Sequence, residues 1–226
     1  MDSGTVSFSL LELFKMGGIF MWPLLFFSIA VIAISLERAI YLGYHNLRMD
    51  DIAQKVERYI DERNITGARE YLSGLTVRRM GARILLILLN RSGLEENQGG
   101  AERRKFSEHR IERAVETETM NNINSLENGF NFLTALGSLS PLTGFLGTVS
   151  GMIGAFRSIA EATEVNAQIV ANGIYEALIT TVFGLIIAII AMISHSIFSH
   201  IVDKFAADVE KACSELITTI ADRHEA

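Results

Sequence analysis

Three apolar segments, each long enough to cross a membrane as a helix, constrain this chain more than any other feature of its sequence. They lie at 17–42, 131–157 and 169–201. About twenty apolar residues, each adding roughly 1.5 Å of helical rise, cross a hydrocarbon core. We therefore expect an all-α membrane protein with three spans, whose long helices continue beyond the membrane.

Composition agrees with this expectation. Hydrophobic residues make up 49% of the 226 residues, and most of the charge lies between the apolar segments. The net charge of −6 gives no reason to expect a nucleic-acid partner. The single cysteine, Cys213, excludes an internal disulfide framework and a multi-cysteine metal site. Nucleophile motifs, phosphate-binding loops and zinc-ligand spacings are absent from the sequence, so we expect neither an enzyme nor a bound cofactor.

The two ends and the second connection are short. Residues 1–16 mix charged and apolar side chains and are predicted to form an amphipathic helix on a lipid surface. This N-terminus is not basic and no small-residue cleavage site follows it, so we expect it to be retained. Residues 158–168 connect the second and third spans, and 202–226 are predicted to form an amphipathic helix that continues the third span.

The segment 43–130 is predicted to be a helical region outside the membrane. Its early helices are separated by a break at Asn64 to Gly67. The apolar stretch at 82–93 is too short to span and is predicted to pack in a core. Residues 95–102 (EENQGGAE) are predicted to form a loop. From Glu102 a charged helix is expected to run without a break into the second span.

The distribution of basic residues predicts the orientation. The segment 43–130 holds fourteen Lys and Arg residues, whereas the N-terminal tail holds only Lys15 and 158–171 holds none. Basic residues next to membrane spans favour the cytoplasmic side. We therefore expect 43–130 and 202–226 in the cytoplasm, with the N-terminus and 158–168 on the opposite side.

One acid, Glu176, stands inside the third apolar segment. An ionisable group within a span costs about 2.5–3.5 kcal/mol on insertion scales, which makes it a functional-site hypothesis by default. Thr180 follows it by one helical turn, Thr181 flanks that position, and Thr148 lies in the second span. Hydroxyls both donate and accept, which suits a proton relay or the shell of an ion. The structural alternative is an acid that only hydrogen-bonds a neighbouring helix.

Small residues mark the second span. Gly144, Gly147, Gly151 and Gly154 are predicted to let another helix approach closely, because glycine leaves the backbone uncovered. The helical spacing predicts that one face carries Gly137, Pro141, Gly144, Thr148, Gly151 and Ala155.

These stretches resemble a known family. GSLSPLTGFLGTVSGMIGAF followed by ANGIYEALITTVFGLIIAI is similar to the signature of the MotA/TolQ/ExbB proton channels, and most like their ExbB and TolQ members. GGIFMWPLLFFSIAVIAISLERAIYL resembles the first span of the family. The family often has proline where this chain has Asn172 and Ile190, which implies a straighter third span. The larger cytoplasmic insertion of MotA-type members is absent.

The resemblance implies a homopentameric ring around a pore that encloses a dimer of single-span ExbD/TolR-like helices. It implies that proton motive force drives the complex, and that a TonB- or TolA-like protein carries the work to the outer membrane. It also implies a bacterial inner-membrane protein with a periplasmic N-terminus and a cytoplasmic C-terminus. The ion-pathway positions of the family fall on Thr148, Glu176 and Thr181, and the ion is a proton or a sodium ion.

Two other readings stay open from the sequence. A passive membrane scaffold would hold a partner without moving an ion, and would tolerate loss of the acid at Glu176. A small-solute transporter would favour inverted repeats and broken helices, and the sequence contains no such repeat.

Overall fold

The computed structural model describes residues 10–76, 79–92, 108–161 and 167–225, and these contain eight helices and no strand. The all-α prediction is confirmed. The helices are α1 Leu10–Met16, α2 Met21–Tyr44, α3 Asp50–Asp61, α4 Ile65–Leu75, α5 Met80–Arg91, α6 Glu108–Glu127, α7 Phe130–Glu161 and α8 Ala167–Glu225.

Three helical stretches of the described chain are long and apolar enough to cross a membrane, and they correspond to the three apolar segments of the sequence. They are Met21–Tyr44, His109–Glu161 and Gly173–Ile220. The third lies within α8, which is continuous over 59 residues and includes most of the segment 202–226. Helix α7 ends at Glu161 and α8 begins at Ala167, so 162–166 of the expected connection lie outside the described residues.

The chain divides into two compact units. The first comprises Met1–Glu37 and Gly129–Ile197, and the second comprises Arg38–Asn128 and Phe198–Ala226. Helices α2 and α8 contribute residues to both units. Of the predicted N-terminal helix the structure has Leu10–Met16, and residues 1–9 lie outside the described part.

The second unit has its core around α5, which packs against α4 and α6. Five apolar side chains of α5 are fully buried, as the short apolar stretch at 82–93 predicts: Ala82, Ile84, Leu85, Leu88 and Leu89. The break before α4 lies at residues 62–64 and overlaps the predicted break, Asn64 to Gly67, only at Asn64; Ile65 to Gly67 form the first turn of α4. The Asn64 side chain accepts a hydrogen bond from the backbone N–H of Gly67 at 2.8 Å and caps the helix. The predicted loop at 95–102 lies outside the described residues.

The helix expected to run unbroken into the second span is interrupted. A turn at Asn128 and Gly129 separates α6 from α7. Gly129 has φ 92°, a left-handed conformation that glycine adopts without steric penalty and other residues rarely do. The sequence carried this signal in the Asn-Gly pair, which is typical of turns.

Candidate functional site

Helices α7 and α8 pack backbone against backbone, because α7 presents glycines where α8 comes close. A Cβ added at Gly144 would lie 2.8 Å from the carbonyl oxygen of Thr180 and 3.0 Å from the Cα of Thr181. A Cβ added at Gly151 would lie 3.1 Å from the carbonyl oxygen of Gly173. These separations leave no room for side chains, and small residues permit such an approach between membrane helices. We call this contact the α7–α8 seam.

The seam is antiparallel, because its contacts move backwards along α8 as they move forwards along α7. Gly144 meets Thr181, whereas Gly151, two turns later, meets Ala177 at 3.2 Å from its own added Cβ. Thr148 lies between these two glycines. The register therefore puts Thr148 at nearly the same depth in the helix pair as Glu176.

Four residues of the predicted face of α7 lie in the seam: Gly137, Gly144, Gly151 and Ala155. The observed face differs from the prediction on one side. Ser140 and Gly147 are buried there, whereas Pro141 and Thr148 are only half-buried at its edge. An added Cβ at Gly147 would overlap the side chain of Thr180. Gly154 does not share in the seam, since an added Cβ there would meet no atom of the described residues within 4 Å.

Two adjacent threonines of α8, Thr180 and Thr181, bind one carbonyl of α7. The hydroxyl of Thr181 donates to the carbonyl oxygen of Gly144 at 3.2 Å. The hydroxyl of Thr180 is shared between the same oxygen, at 3.2 Å, and the carbonyl oxygen of Ala177, at 2.8 Å. Thr180 is only 1% exposed, so its hydroxyl bonds within the packed helix pair and does not reach the surface. Thr181 is half-buried, and its side chain reaches the surface of the chain.

Glu176 and Thr148 stand beside the seam, and both side chains are half-buried. Glu176 is the one acidic residue between Gly173 and Val202 in the sequence. The Thr148 hydroxyl donates to the carbonyl oxygen of Phe145 in its own helix at 2.5 Å. The structure thus brings the Thr180 and Thr181 hydroxyls to one acceptor, the carbonyl oxygen of Gly144. It places Thr148 and Glu176 at nearly the same depth along the helix pair.

The turn between α1 and α2 supplies a contact with Glu176 that the sequence did not predict. The backbone of Gly18 lies against the Glu176 carboxylate, so that an added Cβ at Gly18 would overlap Oε1. The local signal was the Gly17–Gly18 pair, which is typical of a turn but carries no information about what the turn contacts.

Oxygen atoms are the polar groups that this region offers to an ion. They come from the Glu176 carboxylate, the Thr148 and Thr181 hydroxyls and nearby backbone carbonyls. Within the described ranges, no group of three or more His, Cys, Asp or Glu residues is placed to hold a metal ion. The arrangement suits proton exchange or weak coordination of a hard monovalent cation more than a tightly bound metal.

Large apolar side chains cover the outside of the three apolar stretches. Such a surface requires lipid or other apolar protein around it, because exposure of apolar side chains to water is unfavourable in free energy. Representative largely exposed side chains are Trp22, Phe26, Ile40, Leu142, Phe145 and Phe156.

Comparison with known proteins fits these features. The model of the MotA/TolQ/ExbB proton channel family matches residues 87–211, more than half of the chain. The chain belongs to this family. The matched range contains the α7–α8 seam, Glu176 and the threonines, so the family is defined by the same part of the molecule that holds the candidate site.

Several relatives within the MotA/TolQ/ExbB family carry ExbB or TolQ names. An ExbB-like biopolymer transport protein of Synechocystis is 32% identical over 184 residues, which cover 80% of this chain and 81% of that protein. The ExbB of Salmonella typhimurium is 29% identical, over 70% of this chain and 63% of its own length. The TolQ of Haemophilus influenzae is 37% identical, over 48% of this chain and 47% of its own length. The chain therefore spans about half to two thirds of the length of these last two relatives.

Proposed function

We propose that this chain is the channel subunit of an ExbB/TolQ-type motor, in which ion flow down the proton motive force drives work on a third protein. The proposal combines family membership with the chemistry of α8. Relatives named for biopolymer transport and for the Tol-Pal system support a motor of this type.

The observation that carries the proposal is the half-buried Glu176 in an otherwise acid-free stretch of α8. A carboxyl group in such a place costs several kcal/mol of insertion energy, so its presence needs a compensating role. The Thr148 hydroxyl lies at nearly the same depth as Glu176, and the Thr181 hydroxyl lies about 7.5 Å further along α8. In the proposed path both hydroxyls pass protons to or from the acid, or take part in the shell of an ion. The ion is proposed to be a proton, with sodium as the alternative.

The driving energy is of a suitable size. One elementary charge that crosses 100 mV releases about 2.3 kcal/mol. A few ions therefore supply enough free energy for a modest conformational step, such as the rotation of an enclosed helix against the apolar wall of a pore. In the proposed cycle an acid on that enclosed helix takes up the ion and loses its charge. It then moves past the wall, releases the ion and regains its negative charge.

The proposed assembly is a homopentamer that encloses a dimer of ExbD/TolR-like single-span helices and works on a TonB- or TolA-like protein. The large apolar side chains exposed on α2, α7 and α8 favour further copies and lipid around each chain. The proposed location is the bacterial inner membrane. The N-terminus is periplasmic, and 43–130 and the C-terminus are cytoplasmic, as the basic residues indicate.

Replacement of the acid by its neutral isostere tests the proposal. Glu176→Gln should abolish energised transport in cells that contain the partners, while the complex keeps its size. Glu161→Gln is the matched control. It removes an acid that is 66% exposed and paired with Arg157 at the end of α7, and it should leave transport intact.

A passive scaffold is the rival function. It predicts that Glu176→Gln and Thr148→Val both preserve activity, since a scaffold needs the shape of the helix pair and no ion exchange. Normal transport with Glu176→Gln would therefore refute the channel and leave the scaffold.

A further inference from the structure

The Gly17–Gly18 turn is notable in the first unit, because it brings backbone against Glu176, the one acidic residue between Gly173 and Val202 of α8. Gly18 has φ 68°, in the left-handed region that favours glycine. An added Cβ at Gly18 would overlap Oε1 of Glu176 and would lie 2.8 Å from its Cδ. The two residues are far apart in sequence, and glycine is the residue that allows this approach.

Neighbouring contacts hold the turn in place. The N–H of Gly17 donates to the carbonyl oxygen of Leu13 at 3.1 Å and closes α1. The rings of Phe14 and Trp22, before and after the turn, meet edge to face with centroids 5.5 Å apart. Such a ring contact adds stability beyond the apolar area it buries.

The turn also meets α8 next to the acid. An added Cβ at Gly17 would lie 3.2 Å from a methyl group of Ile179, three residues beyond Glu176 in α8. Met21, only 2% exposed, lies under Gly17 from the first turn of α2. The turn therefore has contacts on both sides of the carboxylate contact and is not a free loop that happens to pass it.

We propose that Gly18 is a positioning residue for Glu176: its uncovered backbone fixes where the carboxylate lies and shields one side of it. This inference rests on the proposed role of Glu176 in ion exchange. A side chain at residue 18 would push the carboxylate out of its position, and the ion would then meet the acid in the wrong place.

A compensating pair of substitutions tests the contact. Gly18→Ala adds the methyl group that overlaps the carboxylate, and Glu176→Asp withdraws the carboxylate by one methylene. The full-length parent, both single variants, the double variant and a Gly43→Ala control are compared in native membranes with their partners present. Gly43 is a suitable control because an added Cβ there meets nothing within 4 Å.

The direct readout is labelling of residue 176 by a hydrophobic carbodiimide, which adds to protonated carboxyl groups, measured by mass spectrometry across pH. Gly18→Ala should raise the labelling rate about tenfold, equivalent to about 1.4 kcal/mol, because the displaced acid is exposed to the reagent. It should also lower energised transport. The double variant should label at the rate of Glu176→Asp alone, and Gly43→Ala at the rate of the parent.

Two results would overturn the proposal. One is a labelling rate in Gly18→Ala that equals that of the parent. The other is a raised rate that persists in the double variant, because backbone strain at residue 18 would then be the cause. If Gly18→Ala does not assemble, the double variant decides: recovered assembly supports the contact, and continued failure refutes it. Labelling reports on the contact even if Glu176→Gln keeps transport and the proposed function fails.

Discussion

The α7–α8 seam gives a quantitative prediction for Gly144→Ala. The new methyl group would meet two rigid neighbours, the carbonyl oxygen of Thr180 at 2.8 Å and the Cα of Thr181 at 3.0 Å. Both belong to the backbone of α8, so no side chain can rotate away to make room. The helices must separate, and this also stretches the hydrogen bonds that both threonine hydroxyls donate to Gly144.

The size of the effect follows from a matched pair in the same helix. Overpacking of a tight contact typically costs about 1–3 kcal/mol. A glycine-to-alanine change in a helix also gains roughly 0.5–1 kcal/mol of intrinsic stability. Gly154→Ala makes the same gain without the overlap, since an added Cβ at Gly154 meets nothing within 4 Å. The helix term cancels between the two variants, and Gly144→Ala should be less stable by about 1–3 kcal/mol.

The assay is reversible unfolding of the purified full-length proteins in mixed micelles, followed by circular dichroism. The parent, Gly144→Ala and Gly154→Ala are measured side by side. The difference between Gly144→Ala and Gly154→Ala is the quantity of interest. Equal stability of the two variants, or a more stable Gly144→Ala, would show that the helices are not packed backbone to backbone at this point.

Two further predictions concern the second unit. Asn64→Ala removes the cap of α4 and should destabilise its first turn by about 1 kcal/mol. Hydrogen exchange at the Gly67 amide should then be roughly fivefold faster than in the parent. Unchanged exchange would contradict the capping role. The hydrogen bond from Arg79 lowers the pKa of Asp51 below its ordinary value of 3.8, so the stability that this pair adds is present at neutral pH and lost as pH falls through the lowered pKa. Because the Asp51 side chain is 58% exposed, Asp51→Asn should cost below about 1 kcal/mol at pH 7, measured by unfolding, and a difference from the parent that persists at pH 2 would refute this assignment.

Local signals were sufficient for much of the fold. Apolar length predicted the three long helices. The residues from Asn64 to Gly67 predicted a break between α3 and α4, although α4 already begins at Ile65, directly after the asparagine that caps it. The apolar stretch at 82–93 predicted a helix that packs in a core, because it is too short to span a membrane. Each of these features depends on residues that are close together in sequence.

The face of α7 shows the limit of a local pattern, which predicted four residues of the seam correctly and placed Pro141 and Thr148 too near its centre. Steps of three and four residues describe one stripe through Pro141 and Thr148, and equally a neighbouring stripe through Ser140 and Gly147. The choice between them depends on what α8 presents. Gly184 lets the carbonyl of Ser140 approach, as an added Cβ there would lie 2.5 Å from that oxygen. The spacing of residues within α7 does not show which residues of α8 it will meet.

The candidate site was predictable in its residue types and not in its contacts. The sequence indicates Glu176 because an ionisable group inside an apolar helix costs insertion free energy, and it indicates the threonines because their hydroxyls can donate and accept protons. That Thr180 is buried in the seam, and that Gly18 lies on the carboxylate, depends on packing between segments far apart in the chain. The break at Gly129 was visible in the Asn-Gly pair, and the apolar and charged periodicity on either side outweighed it.

The most direct measurement is ion flux through the assembled complex. Membrane vesicles that contain the full-length protein and its single-span partner are energised with an imposed pH gradient, and proton entry is followed with an internal pH-sensitive dye. The account predicts flux for the parent and for Glu161→Gln, and background flux for Glu176→Gln at equal amounts of complex. Undiminished flux with Glu176→Gln would contradict the central claim that this acid carries the ion.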